Sequence, residues 1–180
     1  MKLILAIILL TGEVWAADLR SITDSMLAAD AVLADTEALA AWPNTDVVLT
    51  VGQVSSEWGY RDDPFTGRIK MHQGMDIGCP IGTPVRASGG GIVDFSGYSR
   101  EYDGYGLIVV IQQGGATVYY AHLSEAIVCK GDKVSRGDVI GLSGCTGRSQ
   151  APHLHYETRL NGMAVDPRRF IVEGVTNESR

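Results

Sequence analysis

The chain has 180 residues, with 15 Lys and Arg, 21 Asp and Glu and four His, giving a formal net charge of -6 and a pI near 5.1. Hydrophobic residues make up 45% and charged residues 20%, which excludes wholesale disorder and a multi-span membrane protein. The acidic balance also argues against a dedicated nucleic-acid binder, since duplex binding leans on Lys and Arg against phosphate. Glycine is in surplus, 22 of 180 residues against a usual share of roughly 7%, and points to one turn-rich β domain.

In chain order, Met1-Lys2 precedes the apolar run Leu3 to Leu10, then Thr11-Gly12-Glu13 and a small-residue site at Val14-Trp15-Ala16. This reads as a secretory signal peptide over residues 1–16, cleaved after Ala16, in preference to a buried helix or an uncleaved anchor. The apolar run is less than half of the about 20 residues that a spanning helix needs. The expected location is periplasmic or secreted, with no membrane span after cleavage.

Residues 17–46 form an N-terminal helical segment. Leu19, Ile22, Met26, Ala29, Leu33, Thr36 and Ala40 step by three and four, Ser21 with Asp24 resembles a capping box, and Pro43 ends the run. The seam is too short for a coiled coil; the helix is available to pack, to cover a groove or to meet a protein partner.

From residue 47 to 173 the texture is β. Expected strands are Val47 to Val54, Thr83 to Ala87, Gly91 to Phe95, Leu107 to Gln112, Ala116 to His122, Asp132 to Val134, Val139 to Ser143 and His153 to Arg159, separated by Gly, Pro, Asp and Ser. Regular short strands with turn signals mean a mainly β, antiparallel domain, and residues 174–180 read as a frayed tail. Cys129 and Cys145 lie symmetrically about Gly137 in a stretch that reads as a hairpin with its tip at Ser135 to Asp138. In an oxidising compartment these two are the expected disulfide pair, with Cys79 left free and buried.

All four histidines fall in the β region. His72-Gln73-Gly74-Met75-Asp76 is H-x-x-x-D, and on an extended strand positions four apart share a face. His153-Leu154-His155 is H-x-H, same-face by the period of two. Two imidazoles and a carboxylate make a normal three-ligand set for zinc, with the fourth position left for water; the spacing leaves open which of His153 and His155 is the ligand. Zinc lowers the pKa of bound water from 15.7 to about 7 and polarises a carbonyl oxygen. His122 and the remaining histidine are candidates for moving the proton and steadying the oxyanion. Glu157 shares strand parity with His153 and His155, either as an orienting carboxylate or as an ordinary solvated one. There is no H-E-x-x-H and no G-x-S-x-G, and no cysteine carries a protease signature.

Several blocks occur in a fixed order: Trp58-Gly59-Tyr60-Arg61 with Asp63-Pro64, His72-x-Gly74-x-Asp76-Ile77, Gly82-Thr83-Pro84-Val85, Gly91-Ile92-Val93, Tyr120-Ala121-His122-Leu123, Gly131-Asp132-x-Val134, Gly137-x-Val139-Ile140-Gly141, Gly144-x-Thr146-Gly147 and Pro152-His153-Leu154-His155-Tyr156-Glu157. From about Val51 to Phe170 the chain thereby resembles the lysostaphin-type, LytM-like zinc endopeptidases that cut peptidoglycan peptides. The resemblance implies that His72, Asp76 and His155 bind Zn2+ and that His122 and His153 are the assisting, non-ligand histidines. It implies an antiparallel β sandwich with the site in a groove across the sheet, and a wall-peptide substrate whose scissile bond is either a glycyl-glycine or a D-amino-acid cross-link. Ser149-Gln150-Ala151-Pro152 and Gln73 depart from the family pattern and bear on the groove wall. A non-cleaving, amidase-activating module of the same fold would lack a ligand, and none is missing. A biotinyl or lipoyl carrier would show its lysine in a D-K-A setting, which is absent.

Overall fold

Strand pairing follows the alternation of apolar and polar residues, because each slip of one residue would turn a whole strand inside out. The computed structural model describes residues 50–170. The expected leader (1–16), helical segment (17–46) and tail (174–180) lie outside them.

Among the described residues there are twelve strands: β1 Gln53–Ser56, β2 Gly59–Asp62, β3 Ile69–His72, β4 Met75–Gly78, β5 Pro84–Arg86, β6 Gly91–Gly97, β7 Leu107–Gln113, β8 Ala116–Ala126, β9 Lys133–Val134, β10 Val139–Ser143, β11 His153–Leu160 and β12 Met163–Val165. A short 3-10 turn, Pro167–Phe170, follows. The main sheet runs β1-β4-β11-β8-β7-β6-β9, all antiparallel, with β12 paired to β11 and β10 bridging β5 and the far end of β8. β2 and β3 make a separate two-stranded ribbon. The mainly β, antiparallel expectation holds.

One face of the main sheet carries the core. Ile77, Leu154, Tyr156, Tyr120, Val109 and Ile111 are at most 1% exposed, and they pack with Val85 of β5 and Ile140 of β10, so the sheet curls until these two short strands close over it. Full burial of each such side chain stabilises the fold by about 1.5–3 kcal/mol. Tyr120 keeps its hydroxyl satisfied in this core, accepting from Ser88 N–H at 2.8 Å. The opposite face carries a smaller apolar patch, Ile108, Val110, Tyr119 and Ala121, and beside it the polar groups of the site.

Three expectations need correction. β1 begins at Gln53, six residues later than Val47, and the first three of those residues (47–49) lie outside the described part. β2, β3, β4 and β12 carry no strong period-two signal; they are only three or four residues long and exist because a partner strand completes their hydrogen bonds. The hairpin about Gly137 does not form. Its first arm, Lys133–Val134, pairs with β6, and its second, Val139–Ser143, pairs with β5 and β8. A disulfide needs facing Cβ atoms roughly 4 Å apart, and arms committed to different neighbours do not supply them. Cys129 and Cys145 are therefore free thiols, exposed and half-buried, while Cys79 is free and buried as expected.

Candidate active site

β4 and β11 pair in a register that sets His155 opposite Asp76 and Tyr156 opposite Met75. Met75, Ile77, Leu154 and Tyr156 point into the core, so parity sends Asp76, His153 and His155 to the other face. His72 arrives differently. It ends β3 of the ribbon, whereas Asp76 lies in β4 of the main sheet, so the two do not share one extended strand as their spacing suggested. The link Gln73-Gly74 crosses from one sheet to the other directly against β11. A Cβ on Gly74 would stand 2.6 Å from His155 Cε1 and from the Tyr156 carbonyl oxygen, so only glycine lets the crossing pass.

Three atoms converge here. His72 Nε2 lies 3.1 Å from Asp76 Oδ1 and 3.2 Å from His155 Nδ1, and His155 Nδ1 lies 2.8 Å from Asp76 Oδ1. Ligands on a tetrahedral zinc at 2.0–2.1 Å stand about 3.3 Å from one another, so the triangle is of the right size. Its donor chemistry fits as well. His72 Nδ1–H donates to the Glu57 carbonyl at 2.7 Å and His155 Nε2–H to Glu157 Oε2 at 3.3 Å, which reserves the two inward nitrogens, beside a carboxylate oxygen, for a metal ion that displaces any proton there. Burial opposes a charge on His155, but its hydrogen bonds to Asp76 and Glu157 outweigh this and push its pKa up to about 9. The same field favours a cation at Nδ1. Burial also opposes ionisation of Asp76, yet His155 and His72 hold its carboxyl far below the usual range.

The other two histidines border this triangle. His153 Nδ1–H donates to the Ala151 carbonyl at 2.7 Å, and its Nε2 stands 3.5 Å from Asp76 Oδ1. His122 Nδ1–H donates to the Thr146 carbonyl at 2.8 Å, and its ring centroid is 4.7 Å from that of His153. Burial, then the neighbouring His155 and His153, push the His122 pKa down to about 4, which keeps it neutral. His122 reaches this place through a backbone irregularity. Ala121 pairs with His155 and Tyr120 with Tyr156, so plain alternation would turn His122 to the core face with Tyr120. Instead it adopts φ 61° at a bulge in the β7–β8 ladder, where its N–H donates to the Tyr105 carbonyl, and Leu123 takes the core position. A non-glycine residue in this region is uncommon and concentrates at functional sites.

The family model for peptidase family M23 matches residues 70–167, the stretch that contains all four histidines and Asp76. The chain belongs to peptidase family M23. Among M23 relatives, it is 45% identical over 120 residues to the DD-carboxypeptidase/endopeptidase Mpg of Neisseria meningitidis, covering 66% of this chain and 27% of that one. It superposes on the catalytic domain of the antimicrobial peptidase lysostaphin from Staphylococcus simulans with a TM-score of 0.60 at 36% identity, over 66% of this chain and 91% of that one. A zinc-containing peptidase from Vibrio cholerae gives a TM-score of 0.58 at 38% identity, over 64% and 35%. The chain thus spans about a quarter of the length of Mpg.

Around the M23 site are groups whose partners sequence patterns did not reveal. Glu157 is not a solvated carboxylate: it is fully buried and accepts hydrogen bonds from Tyr105 OH and Arg159 Nε, both at 2.6 Å, as well as from His155. Burial opposes its charge, but His155, Tyr105 and Arg159 hold its pKa below the usual range. Arg61 Nη2 lies 3.3 Å from Asp76 Oδ2, leaving Oδ1 to the triangle. The turn between β2 and β3 is tied to the loop before β11. Arg148 Nη2 donates to both oxygens of Asp63 at 2.7 and 2.9 Å and its guanidinium lies over Phe65, while Gln150 Nε2 donates to the Pro64 carbonyl. Gln73, Gln150 and Ala151, the positions that depart from the family pattern, all line the resulting groove. The strand parity of Glu157, the Arg61 and Asp63-Pro64 blocks and the departures at Gln73 and Gln150-Ala151 were visible in the sequence; the hydrogen bonds that join them were not. Glu157→Gln is expected to lower metal affinity about 10–100-fold, read by zinc titration, with the far-ultraviolet circular dichroism unchanged.

Proposed function

We propose that this chain is a zinc metalloendopeptidase that hydrolyses peptide cross-links of bacterial cell-wall peptidoglycan. The observation that carries this reading is the triangle of His72 Nε2, Asp76 Oδ1 and His155 Nδ1, bordered by two further histidines with fixed tautomers. His72, Asp76 and His155 would hold the ion. Zinc in that position supplies a Lewis acid that polarises the scissile carbonyl and makes water a competent nucleophile at neutral pH.

The chain's own residues do the rest. With Nδ1–H committed to a backbone carbonyl, His153 and His122 each present a basic Nε2, and neutral His122 can take a proton there. The proton removed from water passes to the leaving nitrogen as the C–N bond breaks, and the hydroxyl stays on the carbonyl carbon, so neither histidine is consumed. Once protonated at Nε2, either ring donates a hydrogen bond to the oxygen that becomes negative. Likeness to the peptidoglycan DD-endopeptidase ShyA of Vibrio cholerae, 49% identical over 104 residues (57% of this chain and 24% of that one), supports a wall-peptide substrate, and the leader-like run Met1 to Ala16 supports a periplasmic or secreted location.

The purified chain is expected to hold one zinc and to release peptides from peptidoglycan. Chelator should abolish the release and added zinc should restore it. Hydrolysis that survives complete removal of metal rejects this reading.

A further inference from the structure

We propose that Tyr105 is a positioning residue that sets two histidines of the site from one fixed point: its hydroxyl aligns the candidate ligand His155 through Glu157, and its backbone carbonyl holds the bulge that carries His122. The proposal rests on the zinc endopeptidase reading above and adds the residue that places the metal ligand and the proton-moving histidine relative to each other.

The fixed point depends on two glycines. Gly104-Tyr105-Gly106, before β7, lies against residues 146–148, before β11. A Cβ on Gly106 would stand 2.5 Å from the Thr146 carbonyl carbon, and one on Gly147 would stand 2.4 Å from Gly106 N, at φ values of 68° and 71°. Both positions therefore need glycine. The close approach is used for hydrogen bonding: Arg148 N–H donates to the Gly104 carbonyl at 2.8 Å and Leu107 N–H to Thr146 Oγ1 at 2.9 Å. His122 is held by both segments, its N–H donating to the Tyr105 carbonyl at 2.9 Å and its Nδ1–H to the Thr146 carbonyl at 2.8 Å.

From that base the Tyr105 side chain reaches the other histidine. Its ring lies edge-on to His155 with centroids 5.6 Å apart, and its hydroxyl donates to Glu157 Oε2 at 2.6 Å while accepting from Arg159 Nη2 at 3.2 Å. Arg159 Nε donates to the other carboxylate oxygen, Oε1, at 2.6 Å. Two donors on different oxygens fix the plane of the carboxylate, and the circuit of Tyr105, Glu157 and Arg159 closes on itself. Arg159 alone would leave Oε2, the oxygen that accepts from His155 Nε2 at 3.3 Å, without its own anchor. Glu157 is fully buried, where a carboxylate oxygen short of a donor is costly. The hydroxyl thereby sets the angle at which His155 presents Nδ1 to Asp76.

The test is zinc titration of the full chain and its variants. Tyr105→Phe keeps the ring and the backbone carbonyl and loses only the hydroxyl, so zinc affinity should fall about tenfold. The kcat on a defined muropeptide at saturating zinc should stay near that of the unchanged chain, because the backbone anchor of His122 is intact. Tyr119→Phe makes the same chemical change on a tyrosine of the adjoining apolar patch and should leave zinc affinity as it is. In a Glu157→Gln background the further loss caused by Tyr105→Phe should shrink to less than about twofold, since a residue that acts through another is not additive with it. A role in packing alone would add in full. Unchanged zinc affinity in Tyr105→Phe, an equal fall in Tyr119→Phe, a full tenfold fall on top of Glu157→Gln, or a kcat that falls as far as the affinity overturns the positioning role and leaves the endopeptidase reading standing. Failure of the unchanged chain to bind zinc overturns both.

Discussion

His122→Ala is expected to keep zinc and lose turnover, whereas His155→Ala is expected to lose the metal itself. The two side chains lie close, with ring centroids 5.8 Å apart, yet their nitrogens face different tasks. His155 Nδ1 is one corner of the triangle at 2.8 Å from Asp76 Oδ1, and without it two protein atoms remain for an ion that takes three in catalytic sites. His122 contributes no atom to the triangle; its Nδ1–H is held by the Thr146 carbonyl and its Nε2 is free to work on substrate. Removal of such a proton-transfer group is expected to lower kcat by about 10²–10⁴-fold. Zinc content by plasma mass spectrometry and kcat on a defined muropeptide, measured on both variants, separate the roles. Release of zinc by His122→Ala would show that the roles are exchanged.

The second large effect is expected at Gly74, a residue with no chemistry of its own. A single added methyl group would meet the His155 ring and the Tyr156 carbonyl at 2.6 Å. Neither can yield: the ring is held between Asp76 and Glu157, and Tyr156 is fully buried in the central sheet. Gly74→Ala is therefore expected to destabilise the domain by about 1–3 kcal/mol through overpacking. Because the strain falls on a candidate ligand, zinc affinity should drop about 10–100-fold as well. Gly115→Ala, where an added Cβ meets nothing within 4 Å, is the matched control and should change neither quantity. Melting temperature and zinc titration of the two variants form the comparison; equal behaviour would mean that the crossing has room that the geometry does not suggest.

Much of the architecture was legible because it depends on local patterning. Central strands such as Leu107–Gln113 and His153–Leu160 announce themselves by β-branched and aromatic runs between turns. The H-x-H motif delivered what a period of two promises, since Leu154 fills the core while His153 and His155 share the other face. The failures are equally physical. His72 and Asp76 were assigned to one strand by spacing, but Gly74 lets the chain change sheets between them, and their proximity comes from the triangle with His155. The disulfide expectation treated symmetry about Gly137 as pairing, whereas β9 and β10 found better partners elsewhere. Glu157 could not be told from a solvated carboxylate, because its burial depends on Tyr105 arriving from the loop before β7 as well as on Arg159 of its own strand.

The residues by themselves determined the kind of molecule this is: a glycine-rich antiparallel β domain whose four histidines and one aspartate have the composition of a metal-dependent hydrolase. That much follows from side-chain chemistry and strand period, which are local properties. Only the tertiary structure decided how those groups meet. The bulge at His122 reverses the face that alternation would assign, and the Gly74 crossing brings a ribbon residue against the main sheet. Each of these is a long-range contact, fixed by which strands pair and in what register, and such pairing is set by the whole core at once and not by any one segment.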